Sequence, residues 1–468
     1  MGVAMEYADF LKSKALRSVP SGLTEIPPLN PALFPFQADL VRWALRRGKA
    51  AVFAATGLGK TRIELTWSDI IKKETGGDVL VLAPLAVAAQ TAAEAGRVGV
   101  KAKIVRDGSE VEPGISVTNY ERLHRFDVSR FVAVVIDESS SIKHADSRTF
   151  IQLCELFRDT PFKLAATATP APNDYVELGT HAEWLGIRTK TEMLSEYFTH
   201  DSGDTSKWRL KGHARGAFWK WVANWGAMVR KPSDLGYSDD AYDLPPLNTR
   251  VHIVQGDAEE SKRRGLLFPM EAQTLTEQRT AKRASIDNRV RLCAEVVRRE
   301  PDEPWIIWTE LNAEGDALRA LLPEAIEIRG SDDIDTKEQR LLDFSEGRAR
   351  VVVTKGSIAG WGLNWQHCAR MAFVGVTHSW ESYFQSIRRC WRFNQRRPVD
   401  VHIFASEAEG AVLRSLERKE RDAVAMADAL SAETRAVVLA EVRGLVREKD
   451  SYSERNVGAA PAWLRSAP

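Results

Sequence analysis

The chain has 468 residues, 44% hydrophobic and 28% charged, the proportions of a soluble globular protein of about two or three domains. Its 65 Lys and Arg nearly cancel its 64 Asp and Glu, so net charge neither points to nucleic acid nor excludes it, and any such surface is a local patch. Cys154, Cys293, Cys368 and Cys390 form no C-x-x-C pair, no apolar run approaches the ~18–20 residues of a membrane span, and no basic-then-apolar leader opens the chain, which argues against a Cys-based zinc site, a spanning helix and a signal peptide.

Residues 1–33 form an N-terminal lead-in. Tyr7, Phe10, Leu11 and Leu16 suit a first helix, and Pro20, Pro27, Pro28 and Pro31 then interrupt the pattern. Phe34-Pro35-Phe36-Gln37 opens an amphipathic helix on which Leu40, Val41, Trp43, Ala44 and Leu45 recur. Two roles fit Gln37: a solvated helix-start residue, or an amide that pairs with an adenine edge beside a stacked aromatic. The run Ala50-Ala51-Val52-Phe53 reads as a buried strand, and residues 62–73, with Ile63, Trp67, Ile70 and Ile71, read as a helix. Between them lies Ala54-Ala55-Thr56-Gly57-Leu58-Gly59-Lys60-Thr61. Strand, Gly-rich turn, Lys-Thr and helix are the context of a phosphate-binding loop, although Ala54 stands where the general pattern has its first Gly. Gly57 and Gly59 let the turn aim N–H groups at an anion, and the helix N-terminus adds partial positive charge. Lys60 would reach the β- and γ-phosphates of ATP, and the Thr61 hydroxyl would bind Mg²⁺.

Asp78-Val79-Leu80-Val81-Leu82-Ala83-Pro84 is a continuous apolar run ended by proline, the pattern of a buried parallel strand. A helix over 86–95 and a strand through Ile115-Ser116-Val117-Thr118-Asn119-Tyr120 continue the alternation of a doubly wound parallel sheet. Phe131-Val132-Ala133-Val134-Val135-Ile136 then ends abruptly in Asp137-Glu138. Ligands of open parallel sheets bind at the carboxyl ends of strands, so this acid pair belongs beside the phosphate loop. One acid there holds Mg²⁺ and its neighbour orients or deprotonates a water. A further strand ends in Thr167-Ala168-Thr169-Pro170, small enough to lie close to a phosphate site.

Residues 214–229 read as one amphipathic helix carrying Phe218, Trp221, Val222, Trp225, Met228 and Val229. Before it, Lys207-Trp208-Arg209-Leu210-Lys211 interleaves basic and aromatic residues, either as a solvated loop beside a packed helix or as a backbone contact. Charged helices over 258–299, including Lys262-Arg263-Arg264, read as solvated faces. Strands at 304–309 and 349–354 follow, the second leading into Lys355-Gly356 and a Gly-bearing stretch to Asn364 that contains Trp361 and Gly362. Gln385, Arg389 and Arg392 fall at i, i+4 and i+7, so they share one helical face. A last strand at 399–404 precedes an Ala/Arg/Glu-rich helical stretch to about residue 449.

In order and spacing these stretches resemble the motifs of superfamily-two helicases. Residues 54–61 are similar to motif I, Ala83-Pro84-Leu85 to Ia, Thr118-Asn119-Tyr120 to Ib, Asp137-Glu138 to II and 167–170 to III. Residues 304–309 are similar to motif IV, the glycines around Gly362 to V, and Gln385, Arg389, Arg392 and Gln395 to VI. Asp137-Glu138 followed by Ile142-Lys143 looks most like the Swi/Snf-type branch, with Ser139-Ser140 in place of Ala-His and Trp361 in place of a Gly. The resemblance covers about residues 34–404. It implies an α/β protein of two tandem RecA-like domains with parallel sheets, 34–175 and 246–408, with a helical insertion and linker over 176–245 and a helical C-terminal tail over 409–468. It also implies ATP in the cleft between the domains, held by Gln37, Thr56, Gly57, Leu58, Gly59, Lys60, Thr61, Gly362 and Gln385. Mg²⁺ would sit on Thr61 and Asp137, and Lys60, Asp137, Glu138, Arg389 and Arg392 would carry catalysis. Pro84, Thr118, Asn119, Thr309, Thr354 and Lys355 would line the nucleic acid. The implied activity is that of an ATP-dependent DNA helicase or translocase on duplex or branched DNA, an RNA helicase or a nucleotide-gated binding scaffold being the alternatives. The chain also resembles compact helicases of bacterial viruses, implying the cytoplasm of a bacterial or phage-infected cell.

Overall fold

The computed structural model describes residues 21–84, 87–171, 174–201, 204–254, 282–360, 363–375 and 379–443. The expected first helix, Lys262-Arg263-Arg264, Trp361, Gly362 and the last 25 residues lie outside them.

The apolar runs of the first half form strands, and all but the short edge strand β3 are largely buried. They are β1 (Lys49–Ala54), β2 (Asp78–Ala83), β3 (Ala102–Ile104), β4 (Ile115–Asn119), β5 (Phe131–Asp137) and β6 (Phe162–Thr167). An antiparallel hairpin follows, β7 (Phe198–Asp201) with β8 (Asp204–Leu210), and then β9 (Gly226–Val229). The seven-stranded sheet has the order β3-β4-β2-β5-β6-β1-β9, and every pairing is parallel. One apolar cluster on it gathers Leu40, Val41, Trp67, Ile71 and Val135, and the other gathers Phe53, Ile136, Trp184, Trp219 and Trp225. Continuous apolar strands suit this two-sided burial.

The expected single helix over 214–229 is two elements. Helix Arg215–Ala223 stops, and Gly226–Val229 becomes β9. β9 pairs with Ala51–Ala54 of β1, Ala51 N–H donating to Trp225 O (2.7 Å) and Ala55 N–H to Val229 O (2.9 Å). Without it the edge of β1 would present unpaired backbone groups. Gly226 is required there, since a Cβ would lie 2.9 Å from the Phe53 ring. The segment 176–245 thus supplies helices Leu178–Leu185 and Lys190–Tyr197 and also an edge strand of the first sheet.

The second half repeats the layered logic with β10 (Leu247–Val254), β11 (Trp305–Thr309), β12 (Ile326–Ile328), β13 (Val351–Lys355), β14 (Arg370–Phe373) and β15 (Val399–Ser406). Their order is β10-β15-β14-β11-β13-β12, again all parallel. The molecule is therefore two tandem RecA-like α/β domains. Helix Gly410–Val442 leaves the second domain, where Val412 is in the core, and ends on the first, where Val438 and Val442 join the core. There Arg47 pairs with Glu441, and Arg443 donates to Leu235 O (2.7 Å). Its 33 residues span about 50 Å.

Candidate ATP-binding cleft

The carboxyl ends of β1, β5 and β6 put the phosphate loop, the acid pair and residues 167–170 side by side. The loop needs left-handed backbone twice: φ is 93° at Gly57 and 78° at Gly59, which caps helix Lys60–Thr75. A Cβ at Gly59 would lie 2.3 Å from Gln37 Nε2, and one at Gly57 2.9 Å from Phe393 Cβ, so both positions exclude a side chain. Leu58 N–H donates to Ala55 O (3.2 Å), while Lys60 is buried and turns its Nζ back to 3.3 Å from Ala54 O. Thr56 and Thr61 are half-buried on the loop and the first helical turn. Gln37 is 1% exposed, which rules out the solvated role. Its Oε1 accepts from Phe34 N–H (2.9 Å), and its Nε2 donates to Leu58 O (2.8 Å), fastening helix Pro35–Arg47 to the loop.

The acid pair is buried. Asp137 Oδ1 accepts from Glu138 N–H (2.8 Å). Burial first, then the Glu138 charge, pushes the Asp137 carboxyl up to about 6, with Lys60 opposing. Glu138 takes left-handed backbone, φ 51° and ψ 51°, and its Oε2 is buried with no hydrogen-bond partner. Tyr120 OH, from the turn after β4, donates to Asp137 O (2.6 Å). Ser139 Oγ lies 3.1 Å from Nε2 of His181, a buried ring whose pKa burial pulls down to about 4.

The opposite wall comes from the second domain. Gln385 Nε2 donates to Thr169 Oγ1 (3.3 Å), a bond across the cleft. The expected continuous helical face is shorter: helix Trp380–Ile387 carries Gln385, and Arg389 and Arg392 lie in the turns after it. Asn394, at φ 71°, marks the reversal that leads to β15. Arg389 donates from Nε to Gln385 O (2.8 Å), from Nη2 to Gln385 Oε1 (3.0 Å) and from Nη1 to Leu363 O (3.2 Å). Arg392 Nη1 donates to Leu363 O (3.0 Å), and its Nε is buried without a partner. Burial lowers both guanidinium pKa values, Arg389 to about 10, and attraction to Glu138 and Asp137 opposes that lowering. Both remain charged at neutral pH and sense the acids of the other domain.

Three further features were not read from the sequence. Glu64, one turn beyond Lys60, is fully buried against Asp137. Burial, then Asp137, holds its carboxyl well above the usual range. A Glu at i+4 from Lys60, between Ile63 and Trp67 on the buried face, was the available signal. Phe393 stacks on Tyr242 (4.7 Å between centroids, 28°) and meets Phe34 edge-on (6.2 Å), an aromatic patch against Gly57. Nothing local joins residues that far apart. The third feature is a set of ion pairs between the domains, Arg106 and Arg122 with Asp335 and Glu338.

The expected nucleic-acid residues divide. Thr118 and Asn119 end β4, and Thr118 Oγ1 and Asn119 Nδ2 are buried without partners. Thr309 Oγ1 donates to Thr354 O (3.4 Å) and Thr354 Oγ1 to Ile328 O (3.2 Å), so these hydroxyls serve the sheet. Pro84 and Lys355 are half-buried at the ends of β2 and β13.

No protein-family model matches the chain. A stretch of 104 residues, 22% of the chain, is 33% identical to the bifunctional helicase and thymine dioxygenase JBP2 of Leishmania braziliensis. The same identity and length hold for JBP2 of Leishmania infantum and of Leishmania major. The match spans 10% of the length of these curated relatives. Among solved structures, the Sulfolobus solfataricus SWI2/SNF2 ATPase core in complex with dsDNA aligns with 90% of this chain and 98% of its own, at 18% identity and a TM-score of 0.41.

Proposed function

We propose that the chain is a DNA-dependent ATPase that translocates on DNA, with or without separating its strands. The observation that carries this is the divided site. A phosphate loop and a buried acid pair stand on one domain, two charged arginines stand on the other, and Gln385 and Thr169 bond between them. A site completed by two domains converts nucleotide state into domain position.

The loop N–H groups and Lys60 would hold the ATP phosphates. Thr61 and Asp137 would hold Mg²⁺, and the donors fit: a hydroxyl at the helix start and a buried carboxylate with few competing bonds. Such an ion would supply positive charge that offsets the charge of the phosphate oxygens. Glu138, whose Oε2 lacks a partner, would orient the attacking water and accept its proton as the water oxygen bonds to the γ-phosphorus and ADP leaves. Arg392 would meet charge developing on the γ-phosphate. Arg389, fully engaged with Gln385 and Leu363, would position that segment. DNA is preferred to RNA as the track because the acid-pair region and the Arg segment resemble the Swi/Snf-type branch. Among the described residues no helix is long and apolar enough to cross a membrane.

Phosphate release with and without duplex DNA tests the reading. DNA should raise turnover, and Lys60→Ala should abolish it. If duplex DNA leaves turnover unchanged the proposal fails; if RNA stimulates more strongly, the track is RNA. Triplex displacement from a blunt duplex, compared with unwinding of a forked one, separates translocation from strand separation.

A further inference from the structure

Gln37 lies in the first turn of helix Pro35–Arg47. Reading the edge of an adenine takes both ends of an amide, the oxygen accepting and the nitrogen donating. Here both ends are committed inside the chain. Oε1 accepts from Phe34 N–H (2.9 Å), and Nε2 donates to Leu58 O (2.8 Å). These partners fix the orientation: turned over, the amide would set N–H against N–H at Phe34 and oxygen against oxygen at Leu58. The remaining hydrogen and lone pair have no opening, since Gln37 is 1% exposed and Gly59 closes over it. A Cβ on Gly59 would stand 2.3 Å from Nε2 and 3.4 Å from Cδ.

Beside this sealed amide lie half-buried rings from three separate segments: Phe34 ahead of the helix, Tyr242 from the linker and Phe393 from the second domain. Phe393 stacks on Tyr242 with centroids 4.7 Å apart. Phe34 meets Phe393 edge-on at 6.2 Å and Tyr242 edge-on at 5.9 Å. Phe393 Cβ borders Gly57 of the phosphate loop. The Tyr242 hydroxyl is buried with no hydrogen-bond partner.

We propose that the cleft takes a purine nucleoside triphosphate without distinguishing adenine from guanine, so that GTP is hydrolysed about as well as ATP. The inference rests on the ATPase reading above and adds to it which bases the site accepts.

The polar groups at hand are the wrong ones for selection. Adenine carries an amino donor where guanine carries a keto acceptor. An amide held in one orientation can favour one of the two, but Gln37 is spent on the loop and the helix start. A hydroxyl such as that of Tyr242 turns to accept from the amino group or donate to the keto oxygen, so it serves both. Stacking on Phe34, Tyr242 and Phe393 is equally tolerant, because every base offers a π-face. The reaction is indifferent to the base as well. The water oxygen bonds to the γ-phosphorus, the bond from that phosphorus to the bridging oxygen breaks, and the proton passes to Glu138. The nucleoside diphosphate and phosphate then leave. Gln37 is thus a positioning residue for the loop.

The test is steady-state phosphate release by the full chain with duplex DNA, using ATP and GTP as separate substrates. Their kcat/KM values should agree within about tenfold, whereas a site that reads the base edge by hydrogen bonds would hold a preference on the order of a hundredfold or more. Gln37→Ala should lower both values by the same factor and leave their ratio unchanged. Tyr242→Ala should raise KM for both nucleotides about tenfold, with a smaller change in kcat. The wild-type comparison needs no variant, so it carries the test if Gln37→Ala unfolds. If neither nucleotide is hydrolysed with or without DNA, the ATPase reading itself fails. If ATP is hydrolysed and GTP is more than about tenfold poorer, base tolerance is overturned while the motor stands. A ratio that shifts in Gln37→Ala overturns the positioning role, and an unchanged KM in Tyr242→Ala overturns the aromatic seat.

Discussion

Glu138 occupies left-handed backbone at φ 51°, which costs a residue with a side chain about 1–3 kcal/mol. The strain aims a carboxylate whose Oε2 is buried without a hydrogen-bond partner. Glu138→Gln should keep nucleotide affinity within a few-fold and lower turnover by about 10²–10⁴, read by nucleotide fluorescence against phosphate release. Gly59→Ala should abolish nucleotide binding, since its methyl would strike the Gln37 amide that holds the loop. His181 sets a pH dependence of stability. Its pKa is about 4 folded and 6.5 unfolded, so between those values the unfolded chain binds a proton that the folded chain does not. Stability is full above pH 6.5 and falls as pH drops toward 4, by about 3 kcal/mol from this group. Compared with the wild-type chain, His181→Gln should lose less melting temperature, or gain more, between pH 7 and 5. The placement of Lys60, Asp137 and Glu138 just beyond or at the ends of β1 and β5 was legible because each sits in a local string whose flanking strand is itself legible. Glu64 and Phe393 were not, because burial beside Asp137 or contact with Gly57 exists only once distant strands have assembled.

At the scale of elements, the apolar runs that became β1, β2, β5 and β6 could be read because parallel strands buried on both faces leave no gap in the pattern. β9 could not. Trp221, Val222, Trp225, Met228 and Val229 satisfy helical spacing, and only the open edge of β1 makes the last four residues a strand. The Gln385–Arg392 segment failed similarly: its spacing is helical, but the chain turns after Ile387 to reach β15. The turn Tyr120–Arg125 joins the outer strands to β5 through one bond, Tyr120 OH to Asp137 O. Tyr120→Phe keeps the ring and removes that bond. It should lower stimulation of ATP turnover by DNA several-fold while changing the KM for ATP little, measured by steady-state phosphate release at saturating and zero DNA.

At the scale of the whole molecule, the two domains meet through Gln385–Thr169, through Asn364 N–H donating to Gln90 (3.0 Å), and through the exposed ion pairs at the outer strands. Helix Gly410–Val442 adds a longer connection. Val438→Ser with Val442→Ser should cost about 2–4 kcal/mol of docking and free its end, raising the radius of gyration in small-angle scattering and exposing the helix to protease. The expected helical tail was legible from its Ala, Arg and Glu content; its return to the first domain was not, since the valines that anchor it look like any others in an amphipathic helix. That return has a mechanical meaning. The polypeptide crosses between domains once near residue 245 and again along this helix, and two separate crossings fix a line in space. A body held at two points cannot swivel freely; it swings about that line as a door swings on two pins. In the proposed motor, the travel of Arg392 toward or away from Glu138 would be set by its perpendicular distance from the pins, and the stroke length by where the helix lands.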